Sequence, residues 1–371
     1  MAKKTAIVIG AGPSGLATAL GLAKRNNYHV HLVEKHSSFP SVGANFGISA
    51  NGIKALREIC SDTAKDLEEI GITTPYGSLL FLWYDFRDAL LKAVRQLEDQ
   101  ITLHLGESIA ELDDNDDTVT AKFESGLQLQ GNLLIGADGV HSTVRSLLDM
   151  PPCTPTGQTI FRGNICVKEK SNPLHYLLEK GMAPIPNRVY KDGIFVLALS
   201  FHSKLPGRIG WVVSTRLPVD ETTTPLTLLE GRVEDAEEWT MLQQVFTQSD
   251  PSHLKPQSQT KVLDFSASIE QCGWSQKGLY PHTSLVGDAA HAMRPTDGLG
   301  CSMALEDVVV LCRHLLESED IAKSLSDFEE ERIPRVLKVH ANQGERYQAR
   351  IERKEVPPWT TEFKEWLLNG V

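Results

Sequence analysis

Ile9-Gly10-Ala11-Gly12-Pro13-Ser14-Gly15-Leu16-Ala17 is preceded by an apolar, β-branched run from Thr5, and Leu16, Ala19, Leu20 and Ala23 then recur at helical spacing. The pattern predicts a buried strand, a glycine turn and a helix. Gly10 permits the tight turn, Gly12 lets a pyrophosphate approach the backbone, and Gly15 lets helix and strand pack closely. Pro13 suits the first helical position, and with Ser14 it stands where free N–H groups and the positive end of the helix dipole attract an anion. A second apolar run, His29 to Val33, ends at Glu34 and Lys35, where a carboxylate would hold a ribose hydroxyl. The stretch therefore implies a dinucleotide.

Two further clusters repeat the strand-to-turn form. Leu133-Leu134-Ile135-Gly136-Ala137-Asp138-Gly139 leads into Val140 to Arg145, with Ser142 placed to cap a helix. Thr283-Ser284-Leu285-Val286-Gly287-Asp288-Ala289-Ala290-His291 runs on to Met293-Arg294-Pro295-Thr296-Asp297-Gly298-Leu299-Gly300, then to a helix with Val308, Leu311 and Leu315 on one face. Together the three clusters resemble the flavoprotein monooxygenases of the para-hydroxybenzoate hydroxylase type, over most of the chain from Thr5 to about Val339. Ile160-Phe161-Arg162-Gly163-Asn164 and Phe328 to Arg335 are similar to the salicylate-hydroxylase and zeaxanthin-epoxidase branches.

That resemblance implies an α/β protein, α+β overall. A Rossmann-like FAD-binding domain would take residues 1–150 and 262–320, an inserted antiparallel sheet 151–261 would roof the substrate, and 321–371 would form C-terminal helices. It implies FAD as the bound cofactor and NADPH or NADH as transient reductant. Gly10, Gly12, Pro13, Ser14, Gly15, Glu34 and Lys35 would hold the ADP half, and Asp138, Gly139 and Arg145 would support the cleft. Gly287 and Asp288 would face the ribityl side. Gly43 and Ala44 would lie in a loop over the isoalloxazine, and Arg87, with Leu90 and Leu91, on a helix reaching the cofactor. Pro295, Gly298, Leu299 and Gly300 would meet the reacting end of the flavin, with Pro295, Gly298 and Gly300 as the candidate catalytic positions. In the resembling enzymes the reduced flavin adds O₂ at C4a and passes one oxygen atom to substrate.

The departures carry expectations too. Many relatives carry a Gln where this chain has Leu299, so a polar side chain is missing from the expected flavin edge, and the stretch between Leu56 and Arg87 is shorter than in most relatives, so the pocket is expected to be more open. Substrate contacts are expected from Arg162, Phe201, Arg208 and Trp211, with a largely apolar, aromatic or polyene substrate, though strand register decides which of them face inward. Two other readings stay open, a flavin-dependent reductase of the geranylgeranyl-reductase kind and an FAD-holding protein without turnover.

Composition excludes more than it specifies. The chain has 371 residues, 41% hydrophobic and 23% charged, with a formal charge of -11, which argues against nucleic-acid partners and anionic membranes. No apolar run is long enough to span a bilayer, and the first strand starts so early that no signal peptide is expected, which points to the cytoplasm. Six cysteines without metal-ligand spacing read as reduced thiols, with no metal site expected. Asp113 to Asp117 reads as a solvated hairpin turn. Trp359, Phe363, Trp366 and Leu367 make an apolar stripe near the C-terminus that needs a cover. Its own protein body is the first candidate, and a second copy of the chain or a membrane surface the others.

Overall fold

The computed structural model describes residues 3–39, 45–74, 77–115, 117–180, 185–201, 207–250, 254, 260–295, 298–352 and 359–370. Its central sheet is parallel and five-stranded. In spatial order the strands are Thr283–Leu285, Leu133–Gly136, Thr5–Ile9, His29–Glu34 and Ile101–Leu105. Each of the three sequence clusters begins at the end of one of these strands. Because the pairings are all parallel, the three turns leave the same edge of the sheet. The chain continues from Thr5–Ile9 to a neighbour on one side and finds Leu133–Gly136 on the other, so a crevice opens at that edge.

Helices Pro13–Asn26 and Gly300–Glu317 pack side by side. A Cβ on Gly21 would lie 2.8 Å from Cys312 Sγ and 2.9 Å from Val308, so only glycine permits this approach. The core between helices and sheet is aliphatic, with Ile7, Leu16, Leu20, Leu134, Leu305 and Val308 fully buried.

The middle of the chain forms a second, antiparallel sheet. Its order is Ile185–Val189, Phe195–Phe201, Arg208–Thr215, Thr154–Cys166 and Thr260–Asp264. Thr260–Asp264 pairs with Thr154–Cys166, so the expected break after residue 261 cuts a strand, and the middle sheet ends at Asp264. The helix Ala236–Thr247 covers one face of this sheet, through Leu242, Val245 and Phe246.

One surface expectation changes, and another resolves to the first of its alternatives. Asp114 ends the strand Ile109–Asp114, and its side chain is fully buried rather than solvated. It accepts from the backbone N–H of His282 at 3.0 Å and from Thr283 Oγ1 at 2.7 Å, and it pairs with His282 Nδ1 at 2.8 Å. The hairpin's last residue thus ties it to the edge strand of the central sheet. The C-terminal stripe is consumed by the protein's own body. Phe363 and Leu367 of Thr361–Leu368 are buried against the main core, and Trp366 lies under Arg335 at 4.4 Å and Lys338 at 4.1 Å. Among the described residues no helix is long and apolar enough to cross a membrane.

His340, in the long helix Ile321–Ile351, is buried beside the carbonyl of His291. Burial and the neighbouring His291 push its imidazole down to about 4 from an ordinary 6.5. The folded chain therefore keeps His340 neutral while an unfolded chain takes up a proton below pH 6.5. Stability from this group is complete above pH 6.5 and is lost as pH falls toward 4, on the order of 3 kcal/mol. Thermal unfolding followed between pH 7 and 4 should show a shallower decline for His340→Gln than for the wild type; an unchanged slope would assign the acid lability elsewhere.

Candidate functional site

The turn after Thr5–Ile9 is built by backbone contact alone. Gly10 has φ +101°, and a Cβ there would lie 2.5 Å from the carbonyl oxygen of Ala137. A Cβ on Gly15 would lie 1.8 Å from the carbonyl oxygen of Gly10. Gly12 differs: it has ordinary extended geometry, and nothing lies within 4 Å of where its Cβ would be. Gly10 and Gly15 are thus spent on the fold, and Gly12 faces open space. Gly12 also caps Pro13–Asn26 without a side-chain hydrogen bond, so the first N–H groups of that helix are uncapped by the protein. Ser14 lies here as well, where a Cβ on Gly287 would come within 2.9 Å of it. Open space, free donors and a helix dipole fit the pyrophosphate of a dinucleotide.

Glu34 stands at the end of the adjacent strand. Its Oε2 accepts from the N–H of Ala11 at 3.0 Å, and its Oε1 accepts from the N–H of His36 at 3.0 Å and meets His36 Nδ1 at 2.6 Å. Burial works to raise its pKa, but these donors outweigh it and hold the carboxylate below its usual range. With three acceptor positions in use and about four on a carboxylate, one remains for a ribose hydroxyl. Lys35 is exposed.

At the second cluster Asp138 turns inward to its own chain. It accepts from Ser142 Oγ at 2.5 Å and from the N–H groups of Thr143 at 2.7 Å and Val144 at 3.1 Å, and Ser142 in turn caps Thr143–Leu147. A Cβ on Gly139 would meet nothing, so the backbone beside Asp138 is open. Arg145 is not free for a cofactor. Its guanidinium bonds Ser268 Oγ and the carbonyl of Ala289 at 3.4 Å and stacks on Phe265 at 4.9 Å, so it joins the second cluster to the third.

The third cluster supplies the crevice's unsatisfied groups. Asp288 makes no hydrogen bond among the described residues, although burial raises its carboxyl above the usual range against the pull of His291 and Arg162. A Cβ on Gly300 would lie 3.8 Å from Asp288 Oδ1. Across from it stands Arg162, whose guanidinium is also unpaired among the described residues; burial lowers its pKa and the charge of Asp288 partly restores it. Both side chains remain reachable by solvent while enclosed by protein, which is the signature of a cleft rather than of a surface. An acid without a donor, next to an uncapped helix N-terminus at Leu299 and Gly300, fits the hydroxyl-rich ribityl chain and the electron-rich edge of a flavin. FAD therefore fits the residues present.

Leu299 corrects an expectation. Its side chain is fully buried in the main core, so the residue in the place of the relatives' Gln does not line the cleft, and only its backbone is near. Pro295 is exposed, and Gly298 has φ +67° with its Cβ position 3.9 Å from the carbonyl of Gly47, in the strand Asn45–Ile48. Gly43 and Ala44 fall outside the described residues. Arg87, in Trp83–Arg95, is buried between Phe39 at 5.4 Å and Trp83 at 5.2 Å and pairs with Asp88 at 2.6 Å.

Register sorts the expected substrate residues. Trp211 pairs with Gly163 and shares a face with Phe161, Ile209 and Val213, all buried under the Ala236–Thr247 helix. Its Nε1 donates to Ser249 Oγ at 2.7 Å and its ring meets Phe246 edge to face at 5.0 Å, so Trp211 points away from the cleft. Arg162 and Arg208 occupy the alternate face, and Arg208 Nη1 bonds Asn164 Oδ1 at 3.0 Å. Phe201 pairs by backbone with Arg208.

A buried charge network beneath the crevice was not visible in the sequence. Asp307 accepts from Gly287 N–H at 3.0 Å, meets His291 Nε2 at 2.6 Å and accepts from Arg332 Nε at 2.9 Å. Burial would raise its pKa, yet His291 and Arg332 bring it down to about 2. Glu306 holds Arg332 Nη1 at 2.7 Å and Arg335 Nε at 2.7 Å. The Phe328 to Arg335 stretch had carried only a family likeness.

The chain matches the FAD binding domain family over residues 85–343 and the FAD dependent oxidoreductase family over residues 5–148. The first match covers more than half of the chain, and the chain belongs to the FAD binding domain family. Salicylate hydroxylase of Pseudomonas putida is 25% identical over 403 residues, covering 94% of this chain and 87% of its own length. The FAD-dependent monooxygenase nvfK of Aspergillus novofumigatus is 26% identical over 380 residues, covering 91% of this chain and 78% of its own. The crystal structure of CtdE in complex with FAD and substrate shares the fold, with TM-score 0.76 at 18% identity over 94% of this chain and 89% of that one. The protein is an FAD-dependent monooxygenase of the salicylate hydroxylase type.

The two glycines separate cofactor binding from folding. Gly12→Val should leave the unfolding temperature of the apoprotein close to that of wild type and abolish FAD retention on gel filtration, because its side chain enters only the pyrophosphate space. Gly15→Val should fail to fold. Arg332→Met, which takes the shared cation from two buried carboxylates, should cost about 3–5 kcal/mol in denaturant unfolding; a loss under 1 kcal/mol would show that water reaches the network.

Proposed function

We propose that this monooxygenase uses NADPH or NADH to reduce its FAD and then inserts one oxygen atom from O₂ into a small organic substrate, at an electron-rich aromatic or alkene carbon. The observation that carries the reading is the arrangement at the cleft: Asp288, without a hydrogen bond among the described residues, beside the start of the Gly300 helix, and Arg162 from the antiparallel sheet across from it. FAD, when bound, supplies the oxygen-activating chemistry, so no side-chain nucleophile is required of the protein.

The chain's own residues bind, orient and exclude water. Gly12 and the start of Pro13–Asn26 hold the diphosphate, Glu34 the ribose and Asp288 the ribityl hydroxyls. The backbone N–H groups at Gly298 to Gly300 would stabilise the negative charge that a bound flavin takes up on reduction. Pro295 would add an apolar surface beside them. Arg162 and Arg208 orient substrate from the sheet, which favours a substrate that carries a polar or anionic group opposite its reacting carbon, in place of a wholly apolar one. With Leu299 folded into the core, the turn loses no cover from that substitution.

The test is isotopic. Aromatic acids and phenols are screened for stimulation of NAD(P)H oxidation by the FAD-loaded enzyme, and the product of an active compound is then made under ¹⁸O₂. The expected product carries one labelled oxygen. A product that gains two hydrogens without oxygen, or an oxygen taken from water, would replace this reading with the reductase or with a hydrolytic one.

A further inference from the structure

Arg335 sits where the C-terminal segment meets the charge network. Its Nη1 donates to the carbonyl of Trp366 at 3.1 Å and its Nη2 to the carbonyl of Leu367 at 2.6 Å, while the Trp366 ring lies against the guanidinium at 4.4 Å. Gly370 packs directly on the guanidinium, where a Cβ would overlap it. The tail thus encloses this cation on several sides, and Arg335 reaches inward with its remaining donors. Nε and Nη2 bond the two oxygens of Glu306, each at 2.7 Å.

Glu306 passes the constraint on. Its Oε1 accepts from Asn51 Nδ2 at 2.8 Å, Asn51 Oδ1 accepts from Ser49 Oγ at 2.5 Å, and Ser49 Oγ, its one hydrogen used there, accepts from Ser302 Oγ at 2.8 Å. Ser302 Oγ also accepts from the N–H of Ser49 at 3.0 Å. All of these side chains but Arg335 itself are buried to within a tenth of their surface. Ser302 lies two residues into the helix that starts at Gly300, and Ser49 directly follows the strand Asn45–Ile48, whose Gly47 carbonyl lies beside Gly298. The relay therefore ends by pinning together the two backbone segments that flank the Gly298 to Gly300 turn.

We propose that Arg335 is a positioning residue for FAD, through which the C-terminal segment 359–370 fixes the flavin end of the cofactor site. The tail orients Arg335, Arg335 orients Glu306, and the Asn51, Ser49 and Ser302 chain sets the spacing between the 45–48 strand and the Gly300 helix start. This rests on the flavin end lying at Gly298 to Gly300. A bidentate arginine and carboxylate are suited to such a task, because the fork fixes direction as well as distance. Arg335 touches no cofactor atom in this scheme, so its effect must travel through Glu306.

The experiment measures FAD dissociation constants by flavin fluorescence, and the flavin absorption and circular dichroism of the loaded enzyme, for Arg335→Met, Arg335→Lys, Trp366→Ala, Ser302→Ala and the Arg335→Met, Ser302→Ala double variant. Arg313→Gln, which removes an exposed pair with Glu331, serves as control. Arg335→Met should weaken FAD binding about tenfold, the equivalent of one charge-assisted hydrogen bond, and shift the flavin spectrum. Arg335→Lys should recover part of the affinity, Trp366→Ala should show a smaller loss in the same direction, and the control none. The double variant should bind no more weakly than the worse single one, because both act on one relay. Additive losses, or an unshifted spectrum in Arg335→Met, would reduce Arg335 to a structural role and overturn the proposal. Gly300→Val separates the underlying reading: if it leaves the flavin spectrum unchanged, the flavin end lies elsewhere and both fall, whereas a shift there with none at Arg335 condemns the relay alone.

Discussion

Four fully or almost fully buried charges meet between the helices Gly300–Glu317 and Ile321–Ile351, and most of the site's geometry follows from keeping them satisfied. Removing a charge from water costs several kcal/mol, and mutual attraction offsets this only when every donor and acceptor is used. Asp307 and Glu306 meet that condition with Arg332 and Arg335. In doing so they draw in the N–H of Gly287, the ring of His291 and the amide of Asn51. The network is therefore more than a seam between two helices. It holds Gly287 and His291 in place on either side of Asp288, an acid that makes no hydrogen bond among the described residues.

The same contrast between satisfied and unsatisfied groups runs through the glycine clusters. Where a Cβ would strike backbone, as at Gly10 and Gly15, the glycine closes the fold; at Gly12 a Cβ would enter open space, and at Gly139 the glycine answers a φ of +82°. A motif written with three glycines thus contains two kinds of position. Asp138 and Asp288 divide in the same way: one is used up capping the Thr143–Leu147 helix, and the other faces the cleft with its acceptors open.

The antiparallel sheet adds the second wall and shows how a strand serves two masters. Its large apolar residues, Phe161, Trp211 and Val213, are all committed to the helix side, and the residues between them present arginine and asparagine to the cleft. The C-terminal stripe behaves similarly. It is apolar because it covers the protein's own core, and its polar backbone carbonyls meet Arg335.

What the sequence determined by itself was whatever depends on local period and turn chemistry. The strand, glycine turn and helix at Thr5 to Asn26, the acid at Glu34 and the two later clusters could be read because each is specified within about 30 residues by alternation, helical spacing and glycine placement. The family and the FAD followed from those clusters. The tertiary structure alone decided the direction of side chains whose partners lie far along the chain. Trp211 faces a helix because of a strand register, Leu299 enters the core because the Gly300 helix packs there, and Arg145 is engaged by Ser268 and Phe265. Asp114 is buried for the same reason, since its partners sit on the Thr283–Leu285 strand. Glu306, Asp307, Arg332 and Arg335 read in sequence as ordinary helix charges, because nothing within one helix records that a second helix will bury them.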